Sequence, residues 1–140
     1  MATTIRINNN LTTDKPNRIY SNLQDANDDI ATKAGDTLLV DGSIKNYVAL
    51  NCNKRLVIIG PGYFLTQNIS QANTVSATVQ GISFKSGSEG AIIIGLVFAV
   101  GSTDYKPYVY VNGISVIRCY ISNGLSLSGQ IMGLIILPNI

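Results

Sequence analysis

Gly35-Asp36-Thr37-Leu38-Leu39-Val40 and Arg55-Leu56-Val57-Ile58-Ile59-Gly60-Pro61-Gly62 are the stretches whose reading decides the fold. Each is a short aliphatic or β-branched run bounded by glycine, too short for a helix of ordinary length and of the composition that favours strands. Downstream the same unit recurs in Gly81-Ile82-Ser83-Phe84, Ala91-Ile92-Ile93-Ile94, Gly95-Leu96-Val97-Phe98, Ile114-Ser115-Val116-Ile117 and Gly133-Leu134-Ile135-Ile136-Leu137. No helical segments separate these runs, which excludes a doubly wound α/β sheet.

The spacing carries more than the runs themselves. Leu39 to Val57 is 18 positions, Ile94 to Val116 is 22, and Val116 to Ile135 is 19. Val116-Ile117-Arg118-Cys119-Tyr120-Ile121 can be laid over Ile135-Ile136-Leu137-Pro138-Asn139-Ile140 with the apolar ends coinciding. A degenerate repeat of about 20 residues, built of strands and polar turns, predicts a solenoid. An antiparallel sandwich is the competing architecture, but it favours alternating strands and two-residue hairpins. Val57–Ile59 and Ile92–Ile94 are apolar without alternation, which predicts strands buried on more than one side.

One segment has helical period. In Ser21-Asn22-Leu23-Gln24-Asp25-Ala26-Asn27-Asp28-Asp29-Ile30-Ala31, the residues Leu23, Ala26 and Ile30 fall on one face. Ser21 with Gln24 fits a capping box, and Gly35 supplies a stop. The prediction is an N-terminal arm over 1–20, a capping helix over 21–34 and strand coils over 36–140. Asp25, Asp28 and Asp29 read as a solvated helix face rather than a metal cluster.

From Leu23-Gln24-Asp25-Ala26 through Ala34-Gly35-Asp36-Thr37-Leu38-Leu39-Val40 to Asn53-Lys54-Arg55-Leu56-Val57-Ile58-Ile59-Gly60-Pro61-Gly62-Tyr63-Phe64-Leu65, the chain resembles the opening of right-handed parallel β-helix proteins of the pectate-lyase-like fold. Gly87-Ser88-Glu89-Gly90-Ala91-Ile92-Ile93-Ile94-Gly95-Leu96 resembles modules of Bacteroidetes proteins. The resemblance covers Leu23 to Ile121. It implies an all-β solenoid of about five coils whose helix face Leu23/Ala26/Ile30 covers the open first coil. Gly60, Gly62, Gly95 and Gly124 are then corner residues, and Asn10, Asn53, Asn68, Asn112 and Asn123 suit the turns. A fold of this kind carries lyases, hydrolases, adhesins and phage spikes alike, so function must be read from residues.

Those residues exclude most chemistries. Of 140 residues only 13% are charged and 46% are hydrophobic, with mean hydropathy +0.24, so the chain has too much apolar surface to remain disordered. Ten Lys+Arg against eight Asp+Glu leave +2, too little for a row of phosphates, so no nucleic-acid partner is expected. Histidine is absent, which removes imidazole bases, His-dependent nucleophiles and His metal ligands. From residue 42 onward only Glu89 and Asp104 are acidic, too few for a lyase-type calcium site. Asp36 and Asp41 are close enough in sequence to approach each other, but Asp36 belongs to the strand-entry motif and is expected to cap a turn. Arg118 reads as an outward-facing strand residue. Neither catalytic residues, nor a cofactor, nor a metal is expected.

Cys52 and Cys119 are expected to be reduced, with Cys119 an apolar filler in a strand. The N-terminus lacks a secretory pattern and no apolar run can span a bilayer, which predicts cytoplasmic synthesis of a protein without a membrane segment. A trimmed signal would place it at the cell surface instead.

Two surfaces stand out. Tyr105-Lys106-Pro107-Tyr108-Val109-Tyr110 gathers three tyrosines on a loop running into a strand, suited to stacking on sugar rings or anchoring a protein interface; the alternative is a strand edge with Tyr108 and Tyr110 on the same face, packed on a neighbouring coil. The C-terminal strand, with Leu134, Ile136 and Ile140, ends without a capping element, which predicts cover by other copies: a homo-oligomer such as a trimer, or a larger assembly. Together these point to a non-catalytic structural or adhesive module, such as a phage head fibre, decoration or tail component. The alternative is the N-terminal piece of a carbohydrate-binding or carbohydrate-processing surface protein.

Overall fold

The computed structural model describes residues 2–62, 75–99, 101–128 and 133–137. Tyr63, Phe64, Leu65, Asn68 and Ile140 lie outside the described residues. The described residues are β-rich, with 33% of them in strands and 8% helical. Among the described residues every strand-to-strand pairing is parallel, which hairpin architectures do not produce and which argues against the sandwich reading.

The largest sheet has seven strands. It contains β1 (Thr4–Ile7), β2 (Ile19–Tyr20), β3 (Thr37–Val40), β5 (Val57–Ile59), β8 (Ile92–Ile94), β11 (Ser115–Ile117) and β13 (Ile135–Leu137), in the order β13-β11-β8-β5-β3-β1-β2. A four-stranded sheet orders β12 (Ser126–Leu127), β10 (Pro107–Val109), β7 (Ile82–Phe84) and β4 (Leu50–Cys52). β6 (Thr78–Val79) and β9 (Val97–Phe98) form the third sheet, which single bridges extend to Tyr47 on one side and Tyr120 on the other.

Register builds the core as columns. Ile5, Leu38, Ile58, Ile93 and Val116 stand side by side across the large sheet, and all are fully buried. Cys52, Phe84 and Val109 form a second buried column across the four-stranded sheet. Val79 and Phe98 join them from the third. Each such aliphatic or aromatic side chain contributes about 1.5–3 kcal/mol by leaving water.

Val57–Ile59 and Ile92–Ile94 are each buried at the central residue only, so the expectation of strands covered on several sides is corrected. One face points into the core. The other carries half-buried aliphatic side chains, which is why alternation was invisible in the sequence. The register differs by one residue from the sequence overlay, since Val116 pairs with Ile136 and not Ile135; of the spacings, Ile94 pairs with Ile117, one residue past Val116, and Leu39 with Ile59, two past Val57. A one-residue slip exchanges the inner and outer faces, and only burial fixes which residue points inward.

The helix α1 spans Leu23–Asp28, shorter than the predicted 21–34. Asn22, not Ser21, is the N-cap: its side-chain oxygen accepts from the Asp25 N–H at 2.8 Å. Leu23 and Ala26 are buried as expected, but Ile30 lies beyond the helix and is 85% exposed. Asp29 leaves helical geometry (φ −64°, ψ 130°), so the period that aligned Ile30 with Leu23 is broken before reaching it.

The corner after the large sheet stacks Gly60, Gly95 and Arg118, each following strands that are in register. Gly95 and Arg118 both take left-handed backbone, with φ 68° and 52°. Arg118 thus sits one position past β11, in a turn rather than in the strand where the sequence placed it.

Candidate functional site

The two ends of the sheets are built differently. β4 is the edge strand of the four-stranded sheet, and α1 covers it with amides as well as apolar residues. Gln24 Nε2 donates to the Asn51 carbonyl at 3.2 Å, and the Asn51 N–H donates to Gln24 Oε1 at 2.8 Å. One turn on, buried Asn27 donates to Asn53 Oδ1 at 3.0 Å and accepts from the Asn53 N–H at 3.4 Å. The two amides, three residues apart on one helix face, pair with the edge as a neighbouring strand would. The sequence reading looked for an apolar cover and missed them; the i, i+3 spacing of Gln24 and Asn27 was the available signal.

Around α1, a polar network fixes the chain. Lys54 Nζ donates to the carbonyls of Asp29 and Thr32, both at 2.9 Å. Arg18 donates to the Tyr20 hydroxyl and to Thr32, while Tyr20 donates to Asp29. Burial and the bond to Asp29 push the Tyr20 phenol up to about 12, and the same bond, with the Ala31 N–H, holds the Asp29 carboxyl below its usual range.

At the opposite end the core columns run out. Ile136 continues the Ile5-to-Val116 column and is 49% exposed; Leu127 continues the Cys52-to-Val109 column and is 52% exposed. Leu134 is partly buried against the core. The structure thus places two of the three predicted end residues, Leu134 and Ile136, at this end and adds Leu127; the third, Ile140, is outside the described residues.

The tyrosine segment lies on the outer side of the four-stranded sheet. Tyr108 is on β10, paired with Ser83 of the neighbouring β7, and Tyr110 follows it two positions on, beside Lys85, the residue after β7. Lys85 Nζ stands 4.3 Å from the Tyr110 ring centre and Lys106 Nζ 5.7 Å from that of Tyr108. Tyr108 donates to the Asp104 carbonyl at 2.9 Å. Tyr105 belongs to the preceding turn, where Asn123 donates to the carbonyls of Ser102 and Tyr105. Tyr108 and Tyr110 therefore share a surface with Lys106 of their own segment and with Lys85, which the sequence alone does not join to them.

No protein family, curated protein or solved structure matches this chain. The resemblance to pectate-lyase-like proteins rests on the quoted residues alone, and function has to be argued from this geometry.

Carboxylates serve local structure. Asp36 is buried and accepts from the backbone N–H groups of Thr3 and Lys33, both at 2.8 Å, which is the turn-capping role expected of it. Asp41 instead accepts from Arg6 at 2.6 Å and Asn8 at 2.8 Å, and Glu89 accepts from the Gly87 N–H. Among the described residues no group of three or more His, Cys, Asp or Glu could hold a metal ion. Cys52 and Cys119 are buried and not disulfide-bonded; burial pushes both thiols up, Cys52 to about 11, which leaves them protonated and poorly nucleophilic at neutral pH. Cys119 fills the core as expected, but just past β11 rather than in a strand. Among the described residues no helix is long and apolar enough to cross a membrane.

Proposed function

We propose that the three parallel sheets are faces of a right-handed β-helix, and that this β-helix is a non-catalytic structural or adhesive module working through homo-oligomeric assembly. The observation that carries the reading is the asymmetry of the core columns, sealed by α1 at one end and exposed at Leu127 and Ile136 at the other. Handedness follows from the strong preference of parallel crossovers. Among the described residues Asp14, Asp25, Asp28, Asp29, Asp36, Asp41 and Glu89 accept hydrogen bonds that fix local structure, which supports a scaffold rather than acid–base chemistry. A phage virion component is the setting proposed from the sequence resemblance. Sedimentation equilibrium over a range of concentrations tests the reading: association is expected, and a monomer at every concentration would sink it.

A second reading, glycan binding, is favoured by the two tyrosine–lysine pairs on one outer face. It predicts that retention on an immobilised acidic polysaccharide falls when Lys85 and Tyr110 are both changed to alanine. Equal retention of the variant and the parent protein would remove it.

A further inference from the structure

The outer face of the seven-stranded sheet is the least expected surface of the molecule. Two rows of side chains point away from the core across β3, β5, β8, β11 and β13. One row reads Thr37, Val57, Ile92, Ser115, Ile135; the other contains Leu39, Ile59, Ile94 and Ile117. None of these residues is charged, and all are half-buried or exposed, Ile135 to 48%. A single parallel sheet normally has both faces covered, so an aliphatic ladder across five strands marks a contact surface.

We infer that this face binds the same face of a second copy, related by a two-fold axis that runs along β8. The inference rests on the assembly reading above and names its surface. Such an axis sets β3 against β13 and β5 against β11 of the second copy, and side-chain sizes then match in pairs. Small Thr37 faces large Ile135, Val57 faces small Ser115, and Ile92 and Ile94 each face themselves. In the other row Ile117 of the second copy faces Ile59, beside a depression of about 260 Å³ lined by Leu39, Ile59, Gly60 and Pro61, with Asp41, Val40 and Gly42 at its polar side. A neutral face is self-complementary in a two-fold contact because no like charges meet.

The area is adequate. Five strands about 4.8 Å apart and two rows of side chains give an apolar core of roughly 24 by 12 Å. A polar rim one side chain wide, to which Asp41, Arg55 and Arg118 contribute, brings it to about 750 Å², against ~800 Å² per partner in a standard interface.

The test uses the whole chain, of 15.0 kDa. Light scattering should give twice that mass for the parent protein and a monomer for Ile94→Glu with an unchanged circular dichroism spectrum, while Val48→Glu, at an exposed position beside α1, stays dimeric. A bis-maleimide of about 10 Å reach, the spacing of packed sheets, should link Ile94→Cys to itself but not Val48→Cys; Cys52 and Cys119 are buried and do not compete. The crosslink also decides the matter if Ile94→Glu fails to fold. A dimer insensitive to Ile94→Glu, or a trimeric mass, overturns this inference and leaves the assembly reading standing. A monomeric parent protein overturns both.

Discussion

Gln24 and Asn51 form a closed ring of two hydrogen bonds, the side-chain amide of one pairing with the main chain of the other at 3.2 and 2.8 Å. A parallel sheet that begins inside a chain has an unpaired first edge, and an amide side chain offers one donor and one acceptor with the spacing of a peptide group. The helix therefore ends the four-stranded sheet on its β4 side.

Removing that ring has a bounded cost, because water can reach this edge. Gln24→Ala should destabilise by about 0.5–1.5 kcal/mol in urea denaturation. Gln24→Glu keeps the acceptor for the Asn51 N–H but sets a carboxylate against the Asn51 carbonyl, so it should not restore stability. Hydrogen exchange at the Asn51 amide should quicken in Gln24→Ala and not at the Ile58 amide.

Face assignment separates neighbouring isoleucines. Ile93→Ala removes a fully buried side chain from the middle of a column and should cost about 2–5 kcal/mol. The adjacent outward Ile94→Ala should cost under about 1 kcal/mol in the separated protomer. Equal losses at both positions would mean that the strand is buried on two sides.

The stacked corner predicts opposite effects at two positions. A Cβ on Gly95 would stand 2.7 Å from the Gly60 carbonyl oxygen, on backbone already left-handed, so Gly95→Ala should lower stability by about 1–3 kcal/mol. Arg118 holds the same left-handed geometry with a side chain, so Arg118→Gly should raise stability by up to about 1 kcal/mol. Thermal melting of the two variants checks both signs.

Alkaline pH should weaken the fold before neutral pH does. Tyr20 rises from 10.0 to about 12 and Cys52 from 9.0 to about 11 on folding, both chiefly through burial. A group whose pKa is raised in the folded state contributes stability that is complete below its unfolded value and lost as pH rises towards its folded one. Stability should therefore fall between about pH 9 and 12, and Tyr20→Phe should flatten the upper part of that fall. Asp29 acts in the other direction: its lowered pKa favours the folded state above the ordinary carboxylate range, and that support is lost on acidification.

Much of the core was legible in the sequence, and the reasons are local. Glycine-bounded aliphatic runs such as Arg55–Gly62 announce strands wherever they occur, and an absent histidine needs no structure to exclude imidazole chemistry. Leu23 and Ala26 were legible because helical period governs them. Ile30 was misread because a period extends on paper past the point where Asp29 turns the chain. Gln24 and Asn27 escaped because polar side chains on a short helix look solvated until a strand edge is set beside them. Tyr110 was visible as an aromatic residue, but Lys85 lies 25 positions away and meets it only through the pairing of β7 with β10.

The sequence by itself determined the strand content, the approximate repeat, the near-neutral charge and the shortage of acid–base groups, since each depends on composition or on neighbours along the chain. Tertiary structure alone decided the register, and with it which isoleucine of each triplet enters the core and which forms the outer ladder. The physical reason lies in the period of two. Three consecutive isoleucines such as Ile92, Ile93 and Ile94 read identically in either register, and only the side chains stacked above and below settle which of them leaves water.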